Sequence, residues 1–301
     1  HLNRKHNCPD CGSDNIMPIV YGLIDDPEAI KQFYMSTMFD VIRPIDKPAT
    51  PLIIHIPHSS TFIPDTELTT FSLSSNGLES ELLKMTDRYT DDLFSEAREL
   101  GGTMFVNRIS RLVCDPERFP DDESELMSKK GMGAVYTKTA DGDQLKVDSF
   151  NSEEKKRVMD QYFHPYSKAL EEEVAKMLET FGKCFIVDGH SFPTIPLHYE
   201  DPNSNRPDIC FGHDPFHAPS ESISALENIC RTRDYIFCHN EPFAGSYVPI
   251  KYFQKEPRVM SLMIEIRRGT YMDESSGCKY KQYDQTKKLI FNLLEQVVSA
   301  R

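Results

Sequence analysis

Short, unbroken apolar runs, set between stretches whose apolar residues recur every three or four positions, constrain the fold of this chain most. The runs at 52–56, 183–187 and 259–266 read as strands buried on both faces. Segments 77–100, 152–181, 221–231 and 284–298 read as amphipathic helices, and shorter strands are expected at 103–106, 111–114, 208–211 and 235–238. Strands alternating with helices of this kind define a layered α/β domain. The 301 residues, 39% of them hydrophobic, suffice for one substantial core. Residues 46–301 are therefore expected to form one domain behind a 1–45 segment.

That short leading segment carries His6-Asn-Cys8-Pro-Asp-Cys11-Gly12, a C-x-x-C-G knuckle of the kind that forms half of a zinc ribbon. No second pair follows it, so Cys8 and Cys11 offer a possible second metal site without completing one. Cys114, Cys184, Cys210 and Cys238 fall in apolar runs and read as small buried hydrophobes, which fits a reducing cytoplasm. A net charge of −13 repels nucleic acid and anionic membrane surfaces. No apolar stretch reaches the roughly 18 residues of a membrane span, and no secretory signal pattern opens the chain. The expected partner is thus a small molecule or short peptide.

Two strands end in histidine followed by serine, at Ile56-Pro-His58-Ser59 and Val187-Asp-Gly-His190-Ser191. Ligands bind beyond the carboxyl ends of strands in open α/β sheets, so both imidazoles are placed to share a metal. A catalytic zinc takes three protein ligands, which leaves room for a carboxylate. On a continuous helix over 77–100, Asp87 shares a face with Leu83, Thr90 and Phe94, where a cation would compensate its burial. Asp91 and Asp92 turn to the polar side and read as solvated charges. Glu265 interrupts the apolar strand Met260-Ser-Leu-Met-Ile-Glu265-Ile. Burial there raises a carboxyl pKa toward general acid and base duty, and a salt bridge to Arg267 or Arg268 is the structural alternative. Arg108, Arg111 and Arg118 lie near the same elements and suit an acidic substrate or an oxyanion, or else surface pairing with local acids. Tyr136, behind the glycines of Gly131-Met-Gly133, either donates a hydrogen bond to substrate or packs. Phosphate-binding glycine loops, G-x-S-x-G and H-E-x-x-H are all absent.

Taken in order, these stretches resemble the N-formylglutamate amidohydrolases, relatives of the zinc carboxypeptidases and aspartoacylases. The resemblance spans about 51–273. It rests on Pro57-His58-Ser59-Ser60, on Thr86-Asp87 followed by Ala97-Arg-Glu-Leu-Gly101, and on Ser110-Arg111-Leu-Val-Cys-Asp115-Pro-Glu-Arg118. It continues through Asp188-Gly-His190-Ser191, Pro242-Phe-Ala-Gly245-Ser246, and Glu265 with Thr270-Tyr271-Met272-Asp273. The resemblance implies a phosphorylase/hydrolase-like three-layer fold with a mixed sheet, and one zinc held by His58, Asp87 and His190. It also implies Glu265 as general base, Arg118 as a further catalytic group, and Arg111, Arg118, Tyr136, Gly245 and Tyr271 around the substrate. The activity it implies is hydrolysis of N-formyl-L-glutamate or a related N-acyl acidic compound, with two alternatives: a carboxypeptidase-like action on a short peptide, and a non-catalytic binding protein on the same scaffold. One departure stands out. Many members read D-L-N-R where this chain has Asp115-Pro-Glu117-Arg118, so an acid replaces an amide that would help hold a substrate carboxylate.

Overall fold

Strand parity organises the molecule. In the computed structural model, which describes residues 38–299, the apolar runs form one seven-stranded sheet in the order β1-β3-β2-β4-β7-β5-β6. The strands are β1 (Phe39–Ile42), β2 (Leu52–Ile56), β3 (Thr103–Asn107), β4 (Cys184–Phe192), β5 (Ile209–Gly212), β6 (Phe237–His239) and β7 (Val259–Arg267). The central strands β3, β2, β4 and β7 run parallel. β1 joins β3 and β5 joins β7 antiparallel, and β6 runs parallel to β5, so the sheet is mixed.

Every residue of β2 and β4 is buried, yet alternation still sorts them between two cores. Leu52, Ile54, Ile56, Phe185, Val187, Leu262 and Ile264 pack under the helices Ser220–Thr232 and Tyr283–Ser299, against Leu226, Leu289 and Leu293. Ile53, Cys184, Ile186 and Val259 face the other way, against Tyr166, Leu170 and Val174 of the helix His164–Phe181. Helices thus cover both faces, giving three layers. His55 follows the parity of Ile53, Asp188 and His190 that of Ile186, and Glu265 that of Val259. All four polar residues therefore project from the same face of neighbouring strands. Each large aliphatic side chain buried contributes about 1.5–3 kcal/mol, and a one-residue slip would exchange the faces, so the register is strongly held. Gly189 allows this approach: a Cβ there would lie 2.6 Å from Ile56 Cδ1 and 3.1 Å from the Phe94 ring.

Three expected elements are corrected. The helix foreseen over 77–100 stops early as Ser75–Met85, and single turns at Thr90–Leu93 and Ser95–Leu100 follow. Tertiary hydrogen bonds take over the backbone here. Asp87 N donates to His58 O at 3.0 Å, Arg268 donates to Lys84 O, and the hydroxyl of Tyr271 donates to Arg88 O at 2.9 Å. Tyr89 then takes a left-handed φ of 69°. The segment 111–114 is a turn rather than a strand, because Ser110 captures the next amides: Leu112 N bonds its Oγ at 3.2 Å and Val113 N its carbonyl at 2.9 Å. The helix over 152–181 is present but carries a π turn at Met159–Phe163, just before Pro165, whose missing N–H interrupts the regular ladder. Cys114, Cys184 and Cys210 are buried as expected, whereas Cys238 is only partly so. Cys8 and Cys11 lie outside the described residues. Among the described residues no helix is long and apolar enough to cross a membrane.

Candidate active site

The carboxyl ends of β2, β4 and β7 bring the foreseen polar residues together. His58 follows β2, His190 sits near the end of β4, and Glu265 pairs in register with His190 on β7. Asp87 arrives from the turn after the helix Ser75–Met85, not from a helix face. Its inward direction comes from the tertiary bonds that end that helix. His58 Nδ1 and His190 Nδ1 are 3.3 Å apart, and Asp87 Oδ2 lies 3.1 Å from His190 Nδ1 and 3.7 Å from His58 Nδ1. All three residues are buried.

Carboxylates on the far side of each ring fix where the protons sit. His58 Nε2 donates to Asp115 Oδ1 at 2.8 Å, and His190 Nε2 lies 3.0 Å from Asp188 Oδ1. An ionised carboxylate only accepts, so in the neutral rings the protons reside on Nε2 and both Nδ1 atoms present lone pairs. Neutral rings would thus turn two imidazole lone pairs and a carboxylate oxygen toward one point with no proton between them. A divalent cation resolves that arrangement. Ligands about 2.0–2.1 Å from a tetrahedral zinc are separated by roughly 3.3–3.4 Å, close to the distances present. With no metal bound, burial opposes charge on both groups, but Glu117 and Asp188 hold the His190 pKa well above its usual range, so its protonated Nδ1 donates to Asp87, and the hydrogen bonds from His190 and His58 with the nearby Arg268 guanidinium hold the Asp87 pKa well below the usual range. Arg268 Nη2 donates to Asp87 Oδ1 at 2.8 Å.

Glu265 differs from its neighbours. Its Oε2 is buried without a hydrogen-bond partner among the described residues. The salt-bridge alternative is overturned, since Arg267 pairs with Asp208 and Arg268 with Asp87. Burial pushes the Glu265 carboxyl up to about 8, opposed by His190 and reinforced by Asp87 and Glu117. A carboxyl in that range exchanges protons near neutral pH.

The remaining foreseen residues divide. Arg111 donates through Nη2 to Asp115 Oδ2 at 2.9 Å and through Nε to the Tyr136 hydroxyl at 3.0 Å. Tyr136 in turn donates to Asp115 Oδ2 at 2.6 Å and is fully buried, so its hydroxyl is engaged within the protein. Arg118 places Nε 3.5 Å from Asp115 Oδ2 and keeps about a quarter of its side chain exposed. The Tyr271 hydroxyl, which donates to Arg88 O, accepts from Ser191 Oγ at 2.8 Å and is completely enclosed. Gly245 occupies a turn at φ 83°, its N–H held by Asn240 Oδ1 at 3.1 Å. Asp91 and Asp92 are partly exposed and paired, Asp91 with Arg108 and Asp92 with Lys279 and Lys287.

Sequence reasoning left several functional neighbours without roles. Asp115 and Asp188 are the carboxylates that fix the imidazole protons, and the signal for Asp188 was present: it lies two residues before His190 on one strand face. Glu117 also turns inward. Its Oε1 lies 3.0 Å from His190 Nε2 and its Oε2 3.6 Å from His58 Nε2. Glu117, His58 and His190 thus offer donor atoms within 4.8 Å of one another. Their Nε2 atoms already face Asp115 and Asp188, while both Nδ1 atoms turn toward Asp87.

A buried set of two imidazoles and a carboxylate at the carboxyl edge of a mixed α/β sheet, beside an unpaired acid, defines a metal-dependent hydrolase. Comparison with known proteins agrees. A family model described as N-formylglutamate amidohydrolase matches residues 50–272, and the chain belongs to that family. It is 28% identical over 266 residues to the N-formylglutamate deformylase of Pseudomonas aeruginosa, covering 86% of this chain and 97% of that protein. It is 27% identical over 240 residues to the N-formylglutamate deformylase of Pseudomonas putida, covering 77% and 85%. The crystal structure of N-formylglutamate amidohydrolase from Ralstonia eutropha JMP134 superposes with a TM-score of 0.75 at 22% identity, over 87% of this chain and 98% of that one. That likeness concerns the fold.

Proposed function

We propose that this chain hydrolyses the amide of an N-acyl amino acid, N-formyl-L-glutamate or a related N-formyl or N-acyl acidic compound, with one zinc ion held by His58, Asp87 and His190. The convergence of His58 Nδ1, His190 Nδ1 and Asp87 Oδ2 beside the unpartnered Glu265 Oε2 carries this reading. When bound, zinc supplies Lewis acidity at the scissile carbonyl and lowers the pKa of water toward about 7.

The protein's own residues do the rest. Glu265 takes a proton from the attacking water at Oε2 and delivers it to the leaving nitrogen, so the carbon–nitrogen bond breaks as a free acid and an amine form. Arg118, the more exposed of the two site arginines, offsets negative charge on the tetrahedral intermediate or binds the substrate carboxylate. Asp115 and Asp188 hold the imidazoles with Nδ1 open.

A second reading rests on Glu117. Its carboxylate faces the two histidines and would repel an acidic side chain placed beside it. A substrate with a neutral or cationic side chain fits that position better. Metal analysis of the wild type and His190→Ala, with turnover of N-formyl and N-acyl amino acids and short peptides, tests both readings. We expect stoichiometric zinc that His190→Ala loses, and turnover of acidic N-formyl compounds. Retention of zinc by His190→Ala would refute the ligand set. Turnover confined to neutral or basic compounds would replace the first substrate with the second, and turnover of peptides alone would replace both.

A further inference from the structure

His55 is an unusual residue for the middle of a sheet. It lies on β2 with no exposed surface, between the rings of Tyr247 and Tyr166, at centroid distances of 4.6 and 5.9 Å. Its Nδ1 lies 2.8 Å from Asp188 Oδ1, while its Nε2 has no hydrogen-bond partner among the described residues. Burying a polar ring with one nitrogen unpaired is unfavourable compared with an aliphatic side chain. Core packing therefore does not account for a histidine here, and the Asp188 contact must.

Asp188 Oδ1 is reached from two sides, by His55 Nδ1 and by His190 Nε2 at 3.0 Å, while Oδ2 accepts from Tyr247 N at 3.0 Å. The carboxylate offers no proton, so both imidazole nitrogens donate. Register places His55 opposite Asp188 and His190 opposite Glu265, which puts the chain His55–Asp188–His190 across two neighbouring strands. The geometry points to His55 as a positioning residue: through Asp188 it holds the His190 imidazole with Nδ1 turned to the metal seat. This inference rests on the proposed zinc site. Outer-sphere partners of ligating histidines typically change metal affinity by about 10–100-fold.

The same atoms admit a rival arrangement. His55, Asp188 and Glu117 offer donor atoms within 4.8 Å of one another, the outline of a second cation seat. Charge argues against it. Asp87, Asp115, Asp188, Glu117 and Glu265 are opposed by Arg111, Arg118 and Arg268, and a single divalent cation already balances the surplus of two negative charges.

Zinc affinity, measured on the full chain by competition with a chromophoric chelator, separates these possibilities without any assay of turnover. His55→Phe removes the donor, whereas the side-chain amide of His55→Asn restores one near the Nδ1 position. We expect His55→Phe to bind zinc about 10-fold or more weakly and His55→Asn to remain within about threefold of wild type. His55→Gln, whose amide reaches the Nε2 position instead, should behave like His55→Phe and stands in for it if the phenylalanine variant does not fold. Unchanged affinity in His55→Phe or His55→Gln overturns the inference, as does equal weakening in His55→Asn. Two zinc ions in the wild type and one in His55→Phe would favour the rival seat and overturn it as well. His190→Ala run in parallel isolates the underlying reading: if it keeps zinc, the ligand set fails, and if it loses zinc while His55→Phe does not, only the role of His55 fails.

Discussion

Two buried polar clusters in this molecule are built to opposite standards. Around Glu67, every carboxylate oxygen has a donor: Arg157 Nη1 at 2.8 Å and the Tyr162 hydroxyl at 3.0 Å on Oε1, and Arg157 Nη2 at 2.9 Å on Oε2. Burial opposes the Glu67 charge, but those bonds hold its pKa down. At the strand ends, Glu265 keeps an oxygen without a donor among the described residues, and burial pushes its carboxyl up to about 8. A closed network fixes a loop to the core, and an open one keeps a proton ready for exchange. The difference separates structural burial of charge from chemical use of it.

The largest test of that contrast is Glu265→Gln, which leaves the cluster's shape but removes its exchangeable proton. Its kcat should fall by roughly 10²–10⁴-fold with zinc stoichiometry unchanged, and a loss below tenfold in steady-state kinetics would remove Glu265 from the proton transfer. Glu67→Gln should do the reverse. Urea unfolding is expected to show a loss of about 2–3 kcal/mol, moderated because Arg157 is partly exposed and can regain water, while kcat per folded molecule stays at the wild-type value.

Titration should sharpen the comparison by sign. In the metal-free protein, folded Glu265 stays protonated up to about pH 8, whereas in the unfolded chain it ionises near the usual pKa of about 4.3. The folded state thus holds the extra proton through that window, and stability is lost as pH rises across it. The difference between wild type and Glu265→Gln in urea midpoints from pH 4 to 9 should carry that slope. Beside the structural cluster, Lys146 is buried, with Nζ 3.8 Å from the Phe71 ring centroid, and burial lowers its pKa to about 8. Here the unfolded chain holds the extra proton between pH 8 and about 10.4, so stability rises with pH in that range. Lys146→Met should give the smallest effect, a gain of about 1 kcal/mol at pH 7 in thermal or urea unfolding that shrinks as pH rises through that interval.

Much of this contrast was legible in the chain. Both histidines were marked by their place at strand ends and Glu265 by its place in an apolar run, since a lone acid there needs a reason to be present. Asp87 was reached by a helix phase that the structure does not contain. The backbone carbonyls that would have continued that helix are bonded instead by side chains more than 180 positions away. The same limit hid the direction of Glu117, though not its presence. A single letter in Asp115-Pro-Glu117-Arg118 says an acid is present, but only the turn after Ser110 determines that it faces His58 and His190.

Local pattern by itself determined most of the strands and helices, and the enclosure of His58, His190 and Glu265, because burial and periodicity are properties of neighbouring residues. The tertiary structure alone decided how those residues pair. Parallel register set His55 against Asp188 and His190 against Glu265. Asp115, from a loop 57 residues away, chose which nitrogen of His58 is left open, and no sequence interval encodes that choice, whereas Asp188 does the same for His190 from its own strand.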